Sequence, residues 1–277
     1  MNDLSFAGVP DAQSHFVSVG GNRIHYVTVG QGNHTLVFVH GWACHLGFWR
    51  EQVAALAKHA RLVLIDLPGH GQSDKPETAY TMDFFAGAVL AVLRDAKVEQ
   101  ATLIGHSMGG AVMCQVYHQA PEKIAALVSV DGLLCRLPGT PAEGRALAGP
   151  FAMPHYREHA AGFIRTLFPF PGAGKLCEQV TSEMLKTPQH VLLGGMLAMV
   201  SPDQPDWILP KVNTPVLVLN ARSPWWNADY ENYVRSLSSQ TEYRVMEGAS
   251  HFLMLEQPAA FNSLLVEMLR THGLIGR

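Results

Sequence analysis

The spacing of apolar and polar positions changes along the chain, and each change of period predicts an element. From Ser14 to Val29, alternating apolar and polar residues flank a Gly20-Gly21-Asn22 turn. That pattern predicts an antiparallel hairpin at a sheet edge. Continuous apolar runs at Thr35–Val39, Arg61–Asp66, Ala101–Ile104, Ile124–Val130 and Pro215–Asn220 read as strands covered on both faces. Glu242–Met246 reads as the last strand, the eighth. Helical spacing lies between the runs: Phe48 to Leu56, a stripe of Phe84, Phe85, Ala88, Val89, Val92 and Leu93, a segment from Ala111 to Tyr117, Ala228 to Leu237, and a closing helix carrying Phe261, Leu264, Leu265, Met268 and Leu269. Apolar strands alternating with helices predict an α/β fold with right-handed crossovers and a mostly parallel sheet.

The alternation breaks between Leu133 and about Trp207. Proline and glycine punctuate that stretch, at Pro138, Gly139, Pro150, Pro154, Pro169, Pro171 and Gly172 among others, with short methionine- and phenylalanine-rich helical pieces between them. Strands then resume cleanly. The expected organisation is a core of residues 1–132 and 208–277 with an inserted helical cap, 133–207.

Composition narrows the class. A chain of 277 residues with 48% hydrophobic and 16% charged positions suits one sizeable globular unit. A net charge of −3 without a basic run does not point to nucleic acid or an anionic membrane. The first twenty residues lack the basic and apolar regions of a secretory signal, no apolar run reaches a membrane span, and the expected location is cytoplasmic. Cys44, Cys114, Cys135 and Cys177 are scattered without a C-x-x-C pair and read as reduced thiols. Fourteen histidines include no H-E-x-x-H, so neither metal nor cofactor is expected.

Chemistry concentrates at Gly105-His106-Ser107-Met108-Gly109, where an apolar strand runs through G-x-S-x-G into a helix. Strand, sharp turn and helix are the context of a nucleophile elbow. The turn lifts the serine oxygen above the sheet, and the helix N-terminus aims free N–H groups at it. A serine hydroxyl is a weak nucleophile near neutral pH and needs a base that is itself oriented by a third group. His251 follows the final strand in a glycine-flanked loop and is the candidate base. His40 and His70 read as structural, and the His106 side chain is expected to point away from the serine oxygen.

His40-Gly41-Trp42, Asp66-Leu67-Pro68-Gly69-His70-Gly71, Gly105-His106-Ser107-Met108-Gly109-Gly110 and Gly248-Ala249-Ser250-His251, in that order, resemble the α/β-hydrolase superfamily over nearly the whole chain. His-Gly-Trp with Ser-Met-Gly-Gly looks most like the small bacterial arylesterase and perhydrolase branch, and also similar to the C–C bond hydrolases. The resemblance implies an eight-stranded, mostly parallel sheet with an inserted cap. It also implies a serine hydrolase with an oxyanion hole built from the backbone of Trp42 and Met108. The family commonly places its acid after the Val216–Leu219 strand, but here that loop reads Asn220-Ala221-Arg222-Ser223-Pro224, with no carboxylate. Asp131, ending the strand after the elbow helix, is favoured. Asp229 is the alternative, with helix capping as its structural role.

The expected activity is cleavage of carboxylic esters through an acyl-enzyme. The apolar cap residues Phe151, Met153, Phe163, Phe168, Phe170, Met196 and Met199 suggest a hydrophobic acyl or aryl group. Alternatives are a C–C bond hydrolase, a lactonase, or a slow-turnover ligand receptor of the same fold. The expected partner is a small-molecule ester, with no nucleic acid and no membrane, and a homodimer stays open.

Overall fold

The computed structural model describes residues 11–135, 141–170, 173–200 and 208–276. Eight strands form one sheet: β1 (Gln13–Val19), β2 (Asn22–Val29), β3 (Thr35–Val39), β4 (Arg61–Ile65), β5 (Ala101–His106), β6 (Ile124–Val130), β7 (Val216–Ala221) and β8 (Thr241–Met246). Their order across the sheet is β1-β2-β4-β3-β5-β6-β7-β8. The β1–β2 and β2–β4 pairs are antiparallel and all later pairs are parallel. Alternation in the first hairpin leaves β1 largely open to solvent, as suits an edge strand. β3 and β5 lie at the centre with every β5 residue buried, as a strand covered on both faces must be.

Among the described residues ten α-helices lie between the strands or after the last one: α1 (Arg50–Leu56), α2 (Met82–Asp95), α3 (Met108–Gln119), α4 (Pro141–Ala148), α5 (Tyr156–Thr166), α6 (Gly174–Met184), α7 (Gln189–Val200), α8 (Ala228–Ser236), α9 (Leu253–Glu256) and α10 (Pro258–Thr271). The apolar stripe of α2 is buried at Phe85, Ala88, Val89, Val92 and Leu93. Its first turn is capped by Thr81, whose hydroxyl accepts the Phe84 N–H at 3.0 Å. Four helices, α4 to α7, stand between β6 and β7 in the chain, where the apolar strands pause. Pro138, Gly139, Pro171, Gly172 and Trp207, part of the expected cap, lie outside the described residues. Among the described residues no helix is long and apolar enough to cross a membrane.

The strand order sets where a site can form. From β3 the chain runs to β4 on one side and from β5 it runs to β6 on the other, so the loops leaving β3 and β5 diverge. A crevice opens between them at the carboxyl ends, the usual ligand position in open α/β sheets. His40-Gly41-Trp42 leaves β3 there and Ser107 leaves β5 there.

Candidate active site

Ser107 stands between β5 and α3 with φ 54° and ψ −120°, a strained conformation for a residue with a side chain. Such a residue costs about 1–3 kcal/mol and persists only where its surroundings hold it. The Ser107 N–H donates to the Val130 carbonyl at 3.2 Å, and its own carbonyl accepts from Gly110 at 2.9 Å and Leu133 at 3.2 Å. The flanking glycines are steric necessities. A Cβ on Gly105 would overlap the Gly109 carbonyl, and one on Gly109 would overlap the Val39 carbonyl. G-x-S-x-G is therefore the sequence trace of a helix pressed onto two strand ends.

His251 lies between β8 and α9 in a turn tied down on several sides. Glu256 accepts the Ser250 hydroxyl at 2.5 Å and the Ser250 N–H at 3.1 Å, and Gln257 donates to the Gly248 carbonyl at 2.8 Å. His106 adds a fourth tie: its Nε2–H donates to the His251 carbonyl at 2.9 Å. The His106 side chain is buried and directed to the His251 loop, and the residue is part of the lining of the same cavity. Burial, reinforced by the neighbouring His251 ring, pushes His106 well below the ordinary histidine range, so it stays neutral.

Asp131 ends β6 with φ 43°, a left-handed conformation that aspartate tolerates better than most residues. Its Oδ2 accepts His251 Nδ1–H at 2.7 Å, while Oδ1 accepts the Ala221 N–H at 2.8 Å and the Trp226 indole N–H at 2.7 Å. The Asp131 side chain is only 5% exposed, so these three donors stand in for water. Asp229 is elsewhere. It sits on the exposed first turn of α8, where Asn227, not Asp229, caps the helix by accepting the Tyr230 N–H at 3.0 Å.

Ser107, His251 and Asp131 all line one cavity of about 240 Å³. Its floor is Gly41, Trp42, Cys44 and His106 from the core. Its walls are Leu147, Phe163, Met184, Met196, Met199 and Val200 from α4 to α7, and Trp225, Trp226 and Arg222 rim it from the loop after β7. The cap residues divide. Phe163, Met196 and Met199 face the cavity as expected, but Phe151 is buried against the Trp42 ring at 5.2 Å. Phe168 stacks on Phe252 at 5.1 Å, and Met153 and Phe170 are exposed, since the cap helices need an apolar core of their own. Trp42 is clamped beneath α7 by its indole N–H, which donates to the Leu192 carbonyl at 2.8 Å. Met108 follows Ser107 as the first residue of α3, where amide N–H groups lack a carbonyl one turn earlier. Burial raises the Cys44 thiol far above its usual range, so it stays protonated in the lining of the cavity.

The rest of the motif histidines are scaffolding. His40 Nδ1–H donates to the Gly41 carbonyl at 2.8 Å and Nε2 accepts the Leu67 N–H at 3.0 Å, joining the loops after β3 and β4. Burial, only partly offset by nearby Asp66, lowers His40 to about 4. Burial and the adjacent His40 lower His70 to about 3.

Residues 34–258 match the family described as alpha/beta hydrolase fold. The chain belongs to that family. A relative, the dihydrolipoyllysine-residue acetyltransferase component of the acetoin cleaving system of Pseudomonas putida, is 30% identical over 267 residues, covering 92% of this chain and 68% of the relative. Among solved structures, the esterase RhEst1 from Rhodococcus sp. ECU1013 superposes with a TM-score of 0.77 at 28% identity, over 94% of this chain and 98% of that one. An N-acyl homoserine lactone degrading enzyme superposes with a TM-score of 0.74 at 25% identity, over 91% and 99%.

The sequence did not point to Trp226 and the Ala221 amide as partners of the Asp131 carboxylate. Periodicity carries no signal for them, because a loop tryptophan's partner depends on where the β7 loop comes to rest. The one hint is a tryptophan pair, Trp225-Trp226, in a loop that lacks the expected carboxylate.

Proposed function

We propose that this α/β-hydrolase cleaves carboxylic esters bearing an apolar acyl or aryl group, through an acyl-enzyme. Ser107 Oγ attacks the carbonyl carbon while His251 Nε2 takes its proton, and Asp131 holds the imidazole in the tautomer that leaves Nε2 free. The carbonyl oxygen becomes an oxyanion, received by the backbone N–H groups of Trp42 and Met108. His251 then returns the proton to the departing alcohol oxygen. Water, deprotonated by the same ring, attacks the acyl-enzyme and releases the acid and the Ser107 hydroxyl. The observation that carries the reading is the 2.7 Å His251–Asp131 hydrogen bond at the edge of a cavity that Ser107 also lines. The apolar wall from α5 to α7 supports the choice of acyl group. Four unpaired cysteines fit a reducing compartment such as the cytoplasm.

A p-nitrophenyl ester series from acetate to octanoate tests the reading, together with a fluorophosphonate probe. The expected result is steady-state turnover that improves with acyl length, and a single adduct on Ser107. Probe labelling with barely one turnover would move the protein to the receptor class.

The Pseudomonas putida relative favours one second reading, in which the acyl-enzyme is intercepted by an acceptor other than water. Adding small thiols or alcohols to the ester assay separates the two. Acyl transfer outpacing hydrolysis at millimolar acceptor would make transfer the principal reaction.

A further inference from the structure

The loop after β7 carries no acid, yet the last residue of β7 and that loop each supply one of the three donors that hold the carboxylate from β6. Asp131 Oδ1 accepts Ala221 N–H at 2.8 Å and Trp226 Nε1–H at 2.7 Å, while Oδ2 is left to His251. The Trp226 ring packs on Tyr230 with centroids 4.7 Å apart, and the Tyr230 hydroxyl donates to the Gly132 carbonyl at 2.8 Å. One aromatic pair therefore grips Asp131 by its carboxylate and by the residue that follows it.

We propose that Trp226 is a positioning residue for the triad, its indole N–H fixing the rotation of the Asp131 carboxylate so that Oδ2 meets His251 Nδ1. The proposal rests on the reading of Asp131 as the triad acid. The physical reason lies in the carboxylate's terminal torsion, which is broad and roughly two-fold. A single backbone amide on Oδ1 leaves room for the group to swing. A second donor on the same oxygen, roughly twice as strong as a neutral pair because the acceptor is charged, narrows that swing. When the carboxylate turns, the imidazole loses the partner that sets its tautomer, and the fraction of rings with a free Nε2 falls.

Two variants separate the N–H from the bulk of the ring. Trp226→Phe keeps an aromatic ring without the donor. Replacing Trp226 with benzothienyl alanine puts sulfur where the N–H stands and keeps the indole outline. Both are expected to lower kcat for a p-nitrophenyl ester about tenfold to a hundredfold, the range for one hydrogen bond to a charged group, with KM held in the isostere. Both should also broaden the far-downfield proton resonance of His251 Nδ1–H in the substrate-free protein. Wild-type kcat and a sharp resonance in the isostere would overturn the proposal, and so would a slow Trp226→Phe beside a fast isostere, since packing would then explain the loss. The resonance needs no substrate, so it still judges Trp226 if the chain proves to turn over no ester.

Discussion

Among the described residues two histidine–aspartate pairs share the same 2.7 Å contact, each with a serine nearby, and their surroundings differ. In the first, His251 Nδ1 meets Asp131 at 2.7 Å beside Ser107. In the second, on the opposite flank of the sheet, His25 Nδ1 meets Asp66 at 2.7 Å and the Ser14 hydroxyl lies 2.9 Å from His25 Nε2. Both carboxylates also accept backbone amides: Ala221 for Asp131, Leu46 and Gln72 for Asp66. The difference is in what surrounds them. Ser14 sits on a flat edge strand with no helix N-terminus behind it, whereas Ser107 is lifted on a positive-φ turn at the head of α3. The His25 side chain is fully buried, while His251 keeps 18% of its side chain open to the cavity. A histidine–aspartate pair is thus a stabilising pin when both side chains are buried. It becomes a candidate catalyst only with an approach route and donors waiting for an oxyanion.

The sharpest way to break this comparison is at the two serines. Ser107→Ala is expected to abolish ester turnover and fluorophosphonate labelling, with a loss of about 10³-fold or more in kcat. Labelling of Ser14 in that variant, read by peptide mass, would show that the sealed chain is reactive after all. Next comes the acid. In Asp131→Asn an amide can face His251 Nδ1 and select the wrong tautomer, so kcat should drop by about 10²–10⁴. Asp229→Asn should leave it unchanged, because Asp229 is exposed on α8. Esterase kinetics on the two purified variants check the ranking, and the reverse order would move the acid.

Asp66 tests the structural side. Burial alone would raise its carboxyl, but the His25 ring and the amides of Gln72 and Leu46 hold it below the usual range. Asp66→Asn breaks a buried pair and should destabilise the fold by about 3–5 kcal/mol in a urea titration, with ester turnover per folded molecule retained. The same flank predicts a pH effect. His40 and His70 are held near 4 and 3, against an ordinary 6.5. Below 6.5 the unfolded chain takes up protons that these buried rings refuse. Stability should therefore fall as pH drops from about 6.5 toward 4, by up to about 1.4 kcal/mol per pH unit for each ring, and be insensitive to them above 6.5. Thermal midpoints between pH 7.5 and 4 measure this. The smallest effect belongs to Ser14→Ala, which removes a hydroxyl on an exposed edge strand and should change stability by less than about 1 kcal/mol.

Much of this was legible beforehand. The strand runs were visible because a strand covered on both faces has to be apolar throughout, and Thr35–Val39 and Ile124–Val130 match their strands residue for residue. Ser107 was legible because its turn excludes side chains at Gly105 and Gly109, which leaves a local mark. The roles within the cap were not. Phe151 and Phe163 are alike in sequence, yet one is fully buried against Trp42 and the other is part of the cavity wall, a choice made by how the cap segments pack on the core.

Local pattern by itself determined the strands, the elbow and the order in which the motif residues arrive, since backbone strain and apolar period act on neighbours along the chain. Only the tertiary structure decided that Asp131 rather than Asp229 reaches His251, that Trp226 and Ala221 brace that carboxylate, and that His25 with Asp66 is a sealed pin. Those outcomes depend on contacts between distant segments: 90 to 120 positions for the partners of Asp131, and 41 for His25 with Asp66. The sequence holds such partners without marking them as pairs, because a hydrogen bond across the fold requires a distance and an angle that no spacing along the chain encodes.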